Sequence, residues 1–76
     1  MKIRKAILED ESQVIDLLKQ LDSKVHAQTF RQIVKNHELG SILVAEENGE
    51  VLGVITISFP TAIRCGGLYS CIEEFI

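Results

Sequence analysis

The sequence predicts an α+β fold with the element order β-α-α-β-β-β and an antiparallel meander at its end. An apolar stripe of helical period over residues 11–21 indicates an amphipathic helix. Asn48-Gly49 separates two β-rich segments, which predicts a hairpin because both central residues of a type I′ turn need positive φ. Three successive strands without intervening helices favour antiparallel pairing.

The first strand is predicted over about residues 2–8, with Ile3 and Ile7 as its apolar anchors. Asp10 is predicted to cap the first helix, because Gln13 follows three residues later in a capping-box pattern. Together these residues predict a strand that leads directly into an amphipathic helix.

A second, weaker helix is predicted over about 27–37, with Gly40 in the left-handed position after its C-terminus. Gly53 interrupts the strand after the hairpin turn and indicates a bulge or a close approach by another segment. The three later strands are predicted over residues 41–47, 50–59 and 68–76.

Length and composition fit one small globular domain. The chain has 76 residues, of which 46% are hydrophobic and 25% charged, and disordered segments have less apolar content. The net charge of −3 argues against nucleic-acid binding, which needs clustered Lys and Arg. The sequence contains no run of 18 apolar residues and no signal-peptide pattern at its start, so a cytoplasmic protein with no membrane span is expected.

No metal site is predicted from the cysteines and histidines. Cys65 and Cys71 are six residues apart and His26 and His37 eleven apart, whereas zinc ligands usually occur in tighter pairs. Cys71 is expected to pack as a small strand residue, and Cys65 to lie reduced in a loop. His37 is interpreted as a helix-end residue.

Three segments carry a recognisable pattern of strand, turn and helix signals. They are Ile3-Arg4-Lys5-Ala6 followed by Glu9-Asp10, Ile42-Leu43-Val44-Ala45-Glu46 followed by Asn48-Gly49-Glu50-Val51-Leu52-Gly53, and Ile72-Glu73-Glu74-Phe75-Ile76. In this order and at these spacings, they resemble the N-terminal half of the GNAT superfamily of N-acetyltransferases. The resemblance covers all 76 residues but about half of a typical member.

The resemblance implies that residues 1–76 are the N-terminal portion of a GNAT-like acetyltransferase domain, an incomplete GNAT-like fold. The intact parent would transfer an acetyl group from acetyl-CoA to a primary amine without a covalent enzyme intermediate. Family members hold the pyrophosphate of acetyl-CoA with an Arg/Gln-x-x-Gly-x-Gly/Ala loop after the fourth strand. This sequence ends on an apolar strand before that loop, so a truncated fragment, inactive alone, is expected.

The candidate site residues lie in the last strand. Glu73 best matches the family's acidic residue and is the first candidate for the base or the amine-recognition group, with Glu74 the weaker candidate. As neighbours in a strand, the two should face opposite sides. The resemblance assigns backbone contacts with acetyl-CoA to Phe75 and Ile76. The alternative is that both carboxylates only discourage edge-to-edge strand pairing.

Two other interpretations remain open. The chain could be a small α+β binding or dimerisation module without catalysis, since an apolar strand edge over Leu68–Ile76 predicts self-association. It could also be an acyltransferase-like sensor that binds an acyl-CoA without turnover. If the chain belongs to an enzyme, its acceptor is expected to be a small-molecule or peptide amine. In the family, the first helices shape the pocket that binds this acceptor.

Overall fold

A computed structural model describes residues 1–59, 61–62, 67–68 and 71–76 of the chain. The α+β class is confirmed, and the predicted order of strands and helices is confirmed in part, because a ribbon of two additional two-residue strands precedes the last strand. The elements are β1 (Lys2–Lys5), a 3-10 turn (Leu8–Asp10), α1 (Glu11–Leu18), α2 (Ala27–Lys35), β2 (Gly40–Glu47), β3 (Glu50–Ser58), β4 (Thr61–Ala62), β5 (Gly67–Leu68) and β6 (Cys71–Phe75).

The main sheet has four antiparallel strands in the order β1-β2-β3-β6, while β4 and β5 pair separately with each other. The predicted hairpin is confirmed, because Asn48 and Gly49 have φ of 53° and 80°. The predicted last strand over 68–76 is shorter in the structure. It begins at Cys71, since Leu68 pairs with Thr61 in the ribbon. Tyr69 and Ser70 lie outside the described residues.

Gly53 fulfils both predictions made for it. It pairs with Ala45, whereas Val51 pairs with Glu46, so the extra residue Leu52 forms a bulge beside Gly53. A Cβ at Gly53 would also lie 3.2 Å from the Ile76 carbonyl oxygen. The bulge and the close approach of β6 therefore occur at the same place in β3.

The core lies between one face of the sheet and the two helices. Val14 of α1 and Phe30 of α2 are buried against the strands, and the apolar stripe of residues 11–21 supplies the α1 contacts. Burial of each such side chain contributes about 1.5–3 kcal/mol. The buried apolar set is Val14, Phe30, Ile42, Val44, Val51 and Val54.

Both helices are shorter than predicted. Residues 19–21 leave the α-helical pattern because Gln20 and Leu21 donate to the carbonyls three residues earlier, which tightens the last turn. The second helix ends at Lys35, where extended backbone begins at Asn36. In the described residues, neither helix has the length and apolarity that a membrane crossing needs.

The other face of the sheet is apolar and exposed. Leu43, Ile55 and Phe75 lie opposite one another across three strands. Exposure reaches 64% for Ile3 and 67% for Phe75. Ile3 and Ile7, the predicted apolar anchors of the first strand, are both largely exposed, because Ile3 lies on this face and Ile7 follows the strand and is 50% exposed.

Arg4, not an isoleucine, connects β1 with the helical side. Its guanidinium donates to both carboxylate oxygens of Asp10, at 2.8 and 2.9 Å, and to Glu46 Oε1 at 3.2 Å. Such paired donors to one carboxylate are strong and directional. These hydrogen bonds hold the pKa of the Asp10 carboxyl below its usual range.

The predicted capping box of Asp10 and Gln13 is wrong. Asp10 does occupy the predicted N-cap position of α1, but its carboxylate makes no cap hydrogen bond there and accepts from the Ile7 amide at 2.8 Å and from Arg4 instead. Gln13 reaches the hairpin instead, where its Oε1 accepts from the Val51 amide at 2.7 Å. Both side chains satisfy donors outside α1 in place of the cap: Asp10 accepts from the segment just before it, and Gln13 accepts from a residue 38 positions later.

Gly40 has a different role from the predicted helix C-terminal position. It does not adopt positive φ, and it is the buried first residue of β2, paired with Ser58. A Cβ at Gly40 would collide with the carbonyl oxygen of Ile57. The space beside the neighbouring strand, not backbone conformation, requires glycine here.

Gly40→Ala is expected to lower the free energy of unfolding by about 2 kcal/mol, because a backbone carbonyl must move to admit the methyl group. Urea denaturation followed by circular dichroism measures the change. Gly53→Ala is the matched control, with its nearest contact at 3.2 Å and a smaller expected loss. Equal stability of Gly40→Ala and the wild-type chain would contradict the packing explanation.

Candidate functional site

A cavity of about 150 Å³ lies between the helices and the sheet. Most of its wall is apolar, and the polar side chains come from β3, β6 and the start of α2. It is smaller than the roughly 300–1,000 Å³ typical of pockets for drug-sized ligands, so it suits a small molecule. The apolar lining consists of Ile15, Leu18, Val25, Phe30, Ile33 and Ile42, and the polar lining of His26, Thr29, Thr56 and Glu74.

Glu74 and Thr56 form the polar end of this cavity. They lie opposite each other on β6 and β3, where the Glu74 amide donates to Thr56 Oγ1 at 3.0 Å. The Thr56 hydroxyl in turn donates to Glu74 Oε1. Thr56 is only 6% exposed and Glu74 half-buried, so the hydroxyl fixes the carboxylate against the sheet.

The Glu74 carboxylate has a hydroxyl partner but no cationic one within the part of the chain that the structure describes. The ion pairs there join Arg4 with Asp10 and Glu46, Arg31 with Glu11, and the N-terminus with Glu47. A half-buried carboxylate without a cationic partner, at the wall of an apolar cavity, favours a cationic ligand.

Glu73 lies outside the cavity. Between the pairs Thr56–Glu74 and Ile57–Ile72 it is the extra residue of a bulge in β6. Its side chain is exposed, and its Oε1 lies 3.6 Å from the Sγ of Cys71. The structure therefore separates the two predicted carboxylates and brings Glu74, the weaker sequence candidate, to the cavity.

Phe75 and Ile76 differ in whether their backbone amide and carbonyl groups are available to hydrogen-bond a ligand. The Ile76 amide and carbonyl both bond to Val54, at 3.0 and 2.9 Å. In an antiparallel ladder the next residue points its backbone groups the other way, so those of Phe75 face the outer edge of β6. No strand pairs with that edge among the described residues. Phe75 can thus offer a donor and an acceptor to a ligand.

The remaining sequence candidates contribute little to the cavity. Desolvation, together with the Glu73 carboxylate, raises the pKa of the Cys71 thiol, which disfavours the nucleophilic thiolate. Cys65 lies outside the described residues. His26 lies at the cavity next to the start of α2, whereas His37 is exposed beyond its end. In the described residues no three His, Cys, Asp or Glu side chains cluster as metal ligands.

Sequence reasoning did not single out Thr56, Thr29 or Phe30 as cavity residues. Thr56 had a detectable signal, because it is the polar residue in the run Val54-Ile55-Thr56-Ile57 and shares a strand face with Val54. A buried hydroxyl on an otherwise apolar face needs a partner, and that partner is Glu74. No comparable signal marks Thr29 in the sequence.

Comparisons with known proteins support a shared fold. No protein-family model matches the chain, and no curated protein matches it either. A solved structure described as a possible acetyltransferase from Clostridium difficile 630 is similar to the chain with a TM-score of 0.73 at 16% identity. An integron cassette protein from the mobile metagenome of Cole Harbour Salt Marsh is similar with a TM-score of 0.77 at 18% identity.

Both matches involve nearly the whole of this chain. They cover 97% of it, but only 55% of the possible acetyltransferase and 54% of the integron cassette protein. The chain therefore spans about half the length of the two solved structures. At these identities the likeness concerns the fold, and the chain has the α+β architecture of one part of each structure.

Proposed function

We propose that this chain supplies the amine-binding part of an N-acetyltransferase that moves an acetyl group from acetyl-CoA to a primary amine. The observation that carries the proposal is the Glu74 carboxylate, which is held by Thr56 at the end of an apolar cavity and has no cationic partner among the described residues. The fold likeness to a possible acetyltransferase supports it.

Glu74 is the proposed base, in preference to Glu73, because Glu74 lines the cavity. An ammonium group must lose a proton before its nitrogen can attack a thioester, and a positioned carboxylate can accept that proton directly or through a water. A carbon–nitrogen bond then forms at the carbonyl carbon and the carbon–sulfur bond breaks. Of the three ammonium protons, one stays on the amide, one reaches the departing thiolate and one passes through Glu74 to solvent.

The chain offers acetyl-CoA one fitting contact. The Phe75 backbone faces the outer edge of β6, where its amide can donate to the thioester oxygen and stabilise negative charge there. The Ile76 backbone is already bonded to Val54, so its proposed contact needs the end of β6 to separate from β3. The proposal places the remaining acetyl-CoA contacts in the half of the fold that this chain does not span.

The test is amine acetylation by the product of the complete reading frame that encodes these residues. That product and the 76-residue chain are each incubated with acetyl-CoA and a panel of primary amines, and N-acetylated amines are detected by mass spectrometry. We expect acetylation by the complete product and none by the 76-residue chain. No acetyl-CoA binding and no acetylation by the complete product would overturn the proposal.

A second candidate function is a binding or dimerisation module without catalysis. The specific observation is the apolar sheet face, where Phe75 is 67% and Ile72 is 61% exposed. This face lies next to the outer edge of β6, and exposed apolar strands at an edge favour pairing with another chain. A second copy of the chain can cover both the face and the edge.

The 76-residue chain is expected to self-associate, and Phe75→Glu is expected to raise the dissociation constant about tenfold to a hundredfold. That range corresponds to roughly 1.5–3 kcal/mol for an aromatic side chain that loses its burial. Sedimentation equilibrium measures the constant. Leu21→Glu is the matched control, since Leu21 is an exposed apolar residue, 52% exposed, that follows α1 and does not belong to the sheet. A wild-type monomer at millimolar concentration would contradict this prediction.

A further inference from the structure

We infer that the cavity selects a small primary amine with one ammonium group on an apolar body, such as a branched alkylamine. The inference rests on the proposed function, because it names the acceptor class for the same site. The same cavity is expected to exclude amines that carry a second charge or several hydroxyl groups along their length.

The charged end of the cavity can bind one ammonium group. Glu74 Oε1 accepts from the Thr56 hydroxyl, and no Lys or Arg side chain neutralises the carboxylate among the described residues. An ammonium group donates up to three hydrogen bonds, so it can bind the carboxylate and still reach a nearby oxygen such as the Thr56 hydroxyl. The sheet positions both oxygens before the ligand arrives.

The other walls of the cavity favour hydrocarbon. Phe30 and Ile42 of its lining are buried, and Ile15 and Ile33 line it with them. None of these side chains can satisfy a buried hydroxyl or ammonium group, whose desolvation without a partner is unfavourable. Hydrocarbon placed there instead gains the free energy of apolar burial.

Size limits the ligand further. The cavity holds about 150 Å³, about half the lower bound of pockets for drug-sized molecules. His26, just before α2, and Thr29, in its first turn, are the other polar residues of the lining, and both are exposed to solvent. The ligand therefore fits with its ammonium at Glu74 and a short branched or ring-shaped body against Phe30.

The test is a nuclear magnetic resonance titration of the ¹⁵N-labelled 76-residue chain, which needs no acetyl-CoA. The probes are 3-methylbutylamine, its neutral analogue 3-methylbutan-1-ol, and the dication 1,4-diaminobutane. We expect 3-methylbutylamine to shift the amides of Thr56, Glu74 and Phe30, and to bind at least tenfold more tightly than either comparison compound.

Variants assign that binding to the carboxylate. Glu74→Gln keeps the side-chain shape but removes the charge, and is expected to weaken 3-methylbutylamine binding at least tenfold. Glu50→Gln, an exposed carboxylate at the start of β3, serves as the control and should bind like the wild-type chain.

Two results would overturn the inference: equal binding of the amine and the alcohol by the wild-type chain, or tighter binding of the diamine. Both results are measured on the wild-type chain, so neither requires that a variant folds. Failure of the acetylation test with successful amine binding would remove the proposed enzyme while leaving the amine site. Acetylation of hydrophilic amines alone would keep the proposed enzyme but remove the apolar acceptor class inferred for the cavity.

Discussion

Glu74→Gln is expected to lower kcat/KM for amine acetylation by about 10²–10⁴-fold in the product of the complete reading frame. A positioned general base contributes roughly that factor, and the amide cannot accept the ammonium proton. Steady-state rates of N-acetyl product formation at several amine concentrations provide the measurement. Because Glu74 also contacts the ammonium group in the proposed complex, KM for the amine should rise as well.

Glu73→Gln distinguishes the two carboxylates in the same assay. Glu73 is exposed at the bulge of β6 and does not line the cavity, so its variant should retain most of the wild-type kcat/KM. The opposite pattern, with a large loss for Glu73→Gln and little for Glu74→Gln, would return the role to the residue that the sequence ranked first. Glu50→Gln again controls for removal of one negative charge.

Asp10→Ala is expected to lower the free energy of unfolding by about 3 kcal/mol. Asp10 is 5% exposed and accepts hydrogen bonds from both Arg4 and the Ile7 amide. When one partner of a largely buried ion pair is removed, the other charge is left without compensation, and stability falls by about 3–5 kcal/mol. Because Arg4 is partly exposed, we expect the loss for Asp10→Ala to lie at the lower end of that range. Urea denaturation at pH 7 measures it.

The stability contributed by Asp10 depends on pH. Its pKa in the folded chain is lowered by Arg4, so the contribution is complete above the unfolded pKa of about 3.9 and is lost as pH falls through the lower, folded value. The unfolding free energies of the wild type and Asp10→Ala should therefore begin to converge as pH falls below about 4 and become closest below the folded pKa. The adjacent, exposed Glu9 provides the control, and Glu9→Ala should change stability by less than about 0.5 kcal/mol. A constant difference between the wild type and Asp10→Ala down to pH 2 would contradict the linkage.

The meander and its hairpin could be predicted because their signals are local. Asn48-Gly49 adopts positive φ at both residues, and few other residue pairs tolerate that conformation. The apolar stripe of residues 11–21 predicted the face of α1 that contacts the core, since helical period alone determines which side chains share a face. Both features follow from backbone sterics over a few residues.

Predictions that depended on which partner a side chain meets were less successful. Asp10 and Gln13 match a capping box, yet Asp10 binds Arg4 of β1 and Gln13 binds Val51 of β3. Ile3 matches a core strand residue, yet the sheet presents it on the face away from the helices. Residue type predicts that these side chains will be satisfied or buried, but tertiary packing chooses the partner and the face.

The candidate site shows the same division. The sequence by itself determined that two adjacent carboxylates, Glu73 and Glu74, lie in the last strand, and strand alternation predicted opposite faces for them. Only the tertiary structure decided which of them meets the cavity, because the bulge in β6 makes Glu73 the extra residue and aligns Glu74 with Thr56. A strand's two faces are equivalent until its register against a neighbour is set, and that register depends on a strand more than ten residues earlier in the chain.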